Sequence, residues 1–168
     1  MRSLLKVIDK ISEGTALVAM WGLCIVTAIV VFEVVTRRVF HSPHVWTYEI
    51  ITLFYGAHFM LLAAYTLLKR GHVCIDIIYN RLQPKTRAVL DIITYLIFFF
   101  PFLIALSYVG TSLAISSWAT NEKTLTARLP FVLPTMKTIT PITAILLIIQ
   151  GFSIFYRRLY FSIYGKEF

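Results

Sequence analysis

The chain predicts an all-α integral membrane protein with four transmembrane helices, short interfacial amphipathic helices and both termini on the cytoplasmic side. Three observations carry that expectation. Of 168 residues, 58% are hydrophobic and only 14% are charged, where a soluble domain carries about a quarter charged residues. The apolar residues gather into runs at about 14–35, 50–68, 88–115 and 139–155, each near or above the roughly 17–25 residues that cross a bilayer core. Lys and Arg, finally, concentrate in alternate connections. No internal repeat and no separate soluble segment interrupts the pattern, so residues 1–168 read as a single membrane domain.

The first element begins amphipathic. Arg2, Lys6 and Lys10 alternate with Leu4, Leu5, Ile8 and Ile11 at helical spacing, the pattern of a helix lying on the membrane surface. The apolar run that follows is longer than a signal-peptide core and has no small-residue cleavage site after it, so it is expected to be retained as span one. Ala19 and Gly22 offer places for close helix approach.

Between spans one and two lies a charged, aromatic bridge from Glu33 to Glu49, holding Arg37, Arg38, His41, His44 and Trp46. Charges this close to hydrocarbon are expensive unless they face water, headgroups or a protein partner. The bridge is therefore the first candidate site, with a wet loop and interfacial anchors as the plainer alternative.

Span two stops at Lys69-Arg70-Gly71, where charge and a helix-breaking residue coincide. Glu49, Gly56, Ala63 and Arg70 recur every seven residues, a drift of only about 20° per step on a helix. They are expected to form a packing stripe, small in the middle and charged at its ends, facing another helix of this chain or of a partner. Leu53 is placed off that stripe. Residues 71–87 include His72 and Asp76, with Ile75, Ile78, Tyr79 and Leu82 on one helical face opposite Asp76, Asn80 and Gln83, and predict a short interfacial helix. Pro84 suits the first turn of span three, Pro101 should kink it, and Asp91 near its start favours the helix dipole. Trp118 marks the far interface. The tail from Tyr156 alternates aromatic and basic residues, as a headgroup layer would favour.

Orientation follows from the basic residues. Eleven of the 16 Lys and Arg fall in the N-terminus (Arg2, Lys6, Lys10), the second connection (Lys69, Arg70, Arg81, Lys85, Arg87) and the tail (Arg157, Arg158, Lys166), against five in the other two connections. The positive-inside rule then puts both termini in the cytoplasm and Trp46 and Trp118 at the outer interface. The same rule, with attraction to anionic lipid, explains the net charge of +8 better than nucleic acid does.

Enzyme chemistry finds no foothold. There is no GxxxxGK[ST] phosphate loop. His41 and His44 have no third or fourth ligand nearby to complete a metal site, only His58 lies inside a span where a haem ligand would sit, and no nucleophile, base and orienting group assemble. Neither enzyme activity nor a cofactor is expected. Cys24 and Cys74 form no CxxC pair. An autonomous transporter would need polar groups at mid-membrane, for which only His58 and Gln150 offer themselves.

The order of short motifs resembles a known family. Arg38-Val39-Phe40 follows span one, Ser42 and Trp46 precede Glu49, Gly71-His72-Val73 and Ile75-Asp76 follow span two, and Pro130 and Pro141 flank the start of span four. In this the chain resembles the small, DctQ-type membrane subunit of tripartite ATP-independent periplasmic (TRAP) transporters, over nearly its full length. The resemblance implies a bacterial inner-membrane protein that carries no substrate itself. It would act as stator for a large subunit that moves organic acids, such as C4-dicarboxylates or sialic acid, by a sodium-driven elevator motion, fed by a periplasmic binding protein. Glu33, Arg37, Arg38, Trp46, Glu49, Gly56, Ala63, His72, Asp76 and Trp118 are the expected partner-facing or anchoring residues, with membrane lipid as the competing contact. The alternative is a small four-helix transporter working alone, or a membrane redox subunit.

Overall fold

The computed structural model describes residues 2–69, 71, 82–123 and 129–165. These form four long helices: α1 (Arg2–Val39), α2 (Val45–Leu68), α3 (Pro84–Ala119) and α4 (Val132–Tyr164). All four are long and apolar enough to cross a membrane. They run alternately up and down, because Glu49 near the start of α2 meets Leu129 just before α4, while Asp9 near the start of α1 meets Arg157 near the end of α4. The start of α1, the end of α2, the start of α3 and the end of α4 thus share one end of the bundle. The bridge and the connection after α3 share the other.

Helix α1 has no break where the amphipathic stretch meets the apolar run. Gly14 sits inside it with open space around its Cα, and a single glycine costs only about 1 kcal/mol relative to alanine, too little to split a helix of 38 residues. The separate N-terminal surface helix is therefore replaced by one continuous rod. Leu5, Ser12, Ala19, Val26 and Glu33 are all buried along it. Their seven-residue spacing is that of a coiled-coil seam, and it packs along α2.

On α2 the expected stripe is displaced. Its buried residues include Glu49, Leu53, Ala64 and Leu67, whereas Gly56 and Ala63 are half-buried. Leu53, expected off the packed face, lies on it. At about 100° per residue Leu53 and Ala64 lie to one side of Glu49 while Gly56 and Ala63 drift to the other, and the buried face is centred on the Leu53 side.

Helix α3 starts at Pro84 as expected. It runs through Pro101, and the disturbance falls upstream, as a π-helical turn over Tyr95–Phe99 in which the Phe100 N–H donates to the Tyr95 carbonyl five residues back. Pro101 has no N–H for the Ile97 carbonyl and its ring crowds that carbonyl; widening the turn around Ile97 accommodates both. The expected interfacial helix of 71–87, with His72 and Asp76, falls mostly outside the described residues.

Helix α4 is the central helix, in contact with α1, α2 and α3. A third of its most apolar window is buried, against 6% for α3. Two glycines admit α3 against it. A Cβ on Gly110 would come within 3.3 Å of Pro141 Cδ, and one on Gly151 would overlap Phe99 Cε1. The aromatic-basic tail continues this helix to Tyr164 instead of forming a separate segment, and Gly165, at a left-handed φ of 66°, closes it with its N–H donated to the Phe161 carbonyl. The outward surface is apolar: Phe59, Phe98, Phe102 and Tyr108 each expose more than half their area, which in water would be a large unfavourable patch and in a membrane suits contact with acyl chains or with another membrane subunit.

Candidate functional site: polar ties at the two ends of the bundle

At the bridge end, two carboxylates leave their own helices to satisfy backbone groups elsewhere. Glu33, 8% exposed, accepts hydrogen bonds at Oε1 from Arg37 (3.0 Å) and the His44 backbone N–H (3.2 Å), and at Oε2 from the Thr47 hydroxyl (3.0 Å). His44 is the N-cap of α2 and supplies no side-chain cap, although the first turn of a helix has N–H groups without partners. Glu33 fills that role from α1, with its negative charge at the positive end of the α2 dipole. The His44 ring lies between Phe32 and Trp46, each ring centroid 5.9 Å away.

Glu49, 3% exposed, does the corresponding work between α2 and the connection to α4, where it accepts the Leu129 N–H at 2.9 Å. Nearby, the Trp118 indole donates to the Thr138 hydroxyl at 3.0 Å, and Lys137 pairs with Glu122. The Lys137 ammonium, helped by the Ser117 hydroxyl and opposed by partial burial, holds the Glu122 carboxyl below the ordinary glutamate range. The end of α3 is thereby fastened to the start of α4.

The opposite end carries a second set of ties, in which Gln150 and Asp91 join residues that no sequence motif marks. Gln150, fully buried, accepts from the Ser12 hydroxyl at 2.7 Å and donates to Asp9 Oδ1 at 3.2 Å; Ser153 also reaches Asp9, and Arg157 pairs with its other oxygen. Arg158 pairs with Asp91 at 2.9 Å. Adjacent residues on a helix point about 100° apart, so Arg157 and Arg158 can hold α1 and α3 to the same turn of α4. Asp91 therefore has a partner as well as a favourable dipole. A signal for this cluster was present: Gln150, Ser153 and Arg157 share a helical face, as do Asp9, Ser12 and Ala16. At mid-bundle His58 Nδ1 lies 2.8 Å from the Ala19 carbonyl. A carbonyl only accepts, so Nδ1 carries the proton of this bond.

The ten expected site residues thus divide. Glu33, Arg37, Trp46, Glu49 and Trp118 gather at the bridge end, with Arg38 exposed beside them; Gly56 faces Met136 of α4, its added Cβ falling 3.3 Å from Met136 Cε. Ala63 is half-buried away from the cluster, and His72 and Asp76 lie outside the described residues. Functionally, the geometry is one of fastening: the described carboxylates of Asp9, Glu33, Glu49 and Asp91 all meet protein donors on other elements.

Comparison with known proteins places this arrangement. Residues 26–160 match the family described as "Tripartite ATP-independent periplasmic transporters, DctQ component". That range takes in both bridge carboxylates and most of α4. The chain is also 33% identical over 86 residues to the sialic acid TRAP transporter permease protein SiaT of Haemophilus influenzae (strain 86-028NP). The match spans 49% of this chain and 13% of that relative, a much longer protein.

Proposed function

The chain belongs to the DctQ-component family of TRAP transporters, and from that premise we propose that it is the small permease subunit, a stator for a large elevator-type membrane subunit. The observation that carries this reading is the commitment of its polar groups. His58 and Gln150, the groups a transport pathway would use, and the bridge carboxylates Glu33 and Glu49 are bonded to other parts of the chain, and they make a bundle suited to stand still while a partner moves. A stator must resist load, and buried ties between helices supply that resistance.

In this reading the large subunit takes up organic acids, C4-dicarboxylates, sialic acid or similar, driven by a sodium gradient and delivered by a periplasmic binding protein; this chain performs no catalysis and binds no cofactor. It sits in the bacterial inner membrane with both termini cytoplasmic, as the asymmetry of basic residues favours. Gly56 and Glu49 face inward, so the partner surface falls on the exposed apolar flanks of α1 and α3. Arg38 and Trp46, with His72 and Asp76, are the candidate contacts at its edges. Lipid covers the remainder.

Purified protein in proteoliposomes with an imposed sodium gradient tests the reading. Alone it should accumulate no organic acid, and together with the large subunit and binding protein it should be required for uptake. Accumulation by the chain alone would support the autonomous transporter instead.

A further inference from the structure

The Glu33 cap has one unfinished contact. His44 Nδ1 is buried and makes no aligned hydrogen bond, yet it stands 3.5 Å from Glu33 Oε2. The backbone N–H of the same residue already donates to Oε1 of that carboxylate. A neutral ring with its proton on Nδ1 offers the carboxylate one uncharged donor, whereas an imidazolium at this distance adds a full charge and forms a charge-assisted pair with it. The ring is held there by Phe32 and Trp46, and its side chain is about a third exposed, so protons reach it without the bundle opening.

We propose that His44 and Glu33 form a proton-sensitive clasp on the connection between α1 and α2: protonation of His44 turns its ring contact with Glu33 into a charge-assisted tie and stiffens the connection, and loss of that proton leaves only the weaker neutral contact. The charged groups around the ring set the sign. From α1, Glu33 attracts the imidazolium; Arg37, on the same helix, opposes it, but the Arg37 side chain is 62% exposed and its charge is screened by water. From α2, Thr47 donates to the same Oε2 that the ring approaches and carries no charge. His41, in the same connection, has no described tie to Glu33. The inference goes beyond the proposed role as stator and does not depend on which face of the membrane the bridge occupies.

The test is amide hydrogen exchange of the purified protein in lipid nanodiscs, read as protection factors for peptides covering residues 40–47 between pH 5 and 8. Protection in the native chain should fall roughly two- to fivefold over that range, the size of a partly exposed ion pair. His44→Gln and Glu33→Gln should both flatten the profile, the latter while keeping an acceptor for the His44 N–H; His41→Asn should leave it unchanged. A flat native profile would overturn the proposal. So would a pH-dependent profile that survives either glutamine variant, since the tie needs both partners.

Discussion

At the scale of single residues, the side chains that matter most are those that complete another element's hydrogen bonds. Glu49→Ala leaves the Leu129 N–H without its acceptor, and an orphaned, partly buried N–H costs about 1–3 kcal/mol. Thermal or denaturant unfolding in detergent should show that loss, with Glu49→Gln losing less because its amide oxygen can still accept. Glu122 behaves differently because its tie is electrostatic and near water. Its carboxyl is held low in the folded protein, so its contribution is present above the unfolded carboxyl range near ~4.3 and is lost as pH falls through the lower folded value. The gap in melting temperature between native protein and Glu122→Gln should therefore be constant from pH 7 to about 5 and close on further acidification. A gap of equal size at pH 3 and pH 7 would show that Lys137 is not the partner that matters. Sequence alone could nominate Glu33 and Glu49, because a carboxylate beside hydrocarbon needs a reason. It could not say that their partners are backbone N–H groups as far away as residue 129, since such groups look alike in every sequence.

At the scale of elements, glycines and the turn upstream of Pro101 decide how closely the helices approach. Gly151 faces Phe99 in the π-helical turn, where the ring is also held by Tyr95 and Phe100 at centroid distances of 4.7 and 5.6 Å. Gly151→Leu must push that aromatic group aside and should destabilise by about 1–3 kcal/mol, the usual range for overpacking. Gly56→Leu should be milder, because what it meets is the flexible end of Met136. Phe59→Leu, on a ring 73% exposed, is the control and should be near neutral in detergent-purified protein. Equal stability of Gly151→Leu and the control would mean that α3 and α4 are not in close contact there. Element type was readable from apolar run length. Element ends were readable where a breaker marks them, at Pro84 and before Lys69-Arg70-Gly71, but not elsewhere, because helix formation continues through Lys10, Glu13 and Arg157 just as readily as through leucine, and polarity marks the membrane boundary but not the helix end.

At the scale of the whole molecule, the up-and-down arrangement puts the start of α1 and the end of α4 at one end, and the proposed orientation puts that end in the cytoplasm. In a variant lacking Cys24 and Cys74, a cysteine at Ser42 should react with a membrane-impermeant reagent in cells whose outer membrane has been made permeable, and a cysteine at Lys166 should react only after lysis. The opposite pattern would invert the topology. Composition and run length by themselves determined that this chain is a four-helix membrane protein, because the bilayer imposes a hydrophobic length that any spanning helix must show in its residues. The order of short motifs likewise identified the family. Only the tertiary structure decided that α4 is central, that the packed line on α2 runs through Leu53 and Ala64, and that Asp9, Ser12, Gln150 and Arg157 form one cluster. Lipid is as apolar as a helix neighbour, so hydrophobicity cannot distinguish the face that packs from the face that meets acyl chains. That choice is made by close fit and by polar ties between residues as much as 148 positions apart; the sequence marks the polar face of each helix, as at Gln150, Ser153 and Arg157, but not the face it meets.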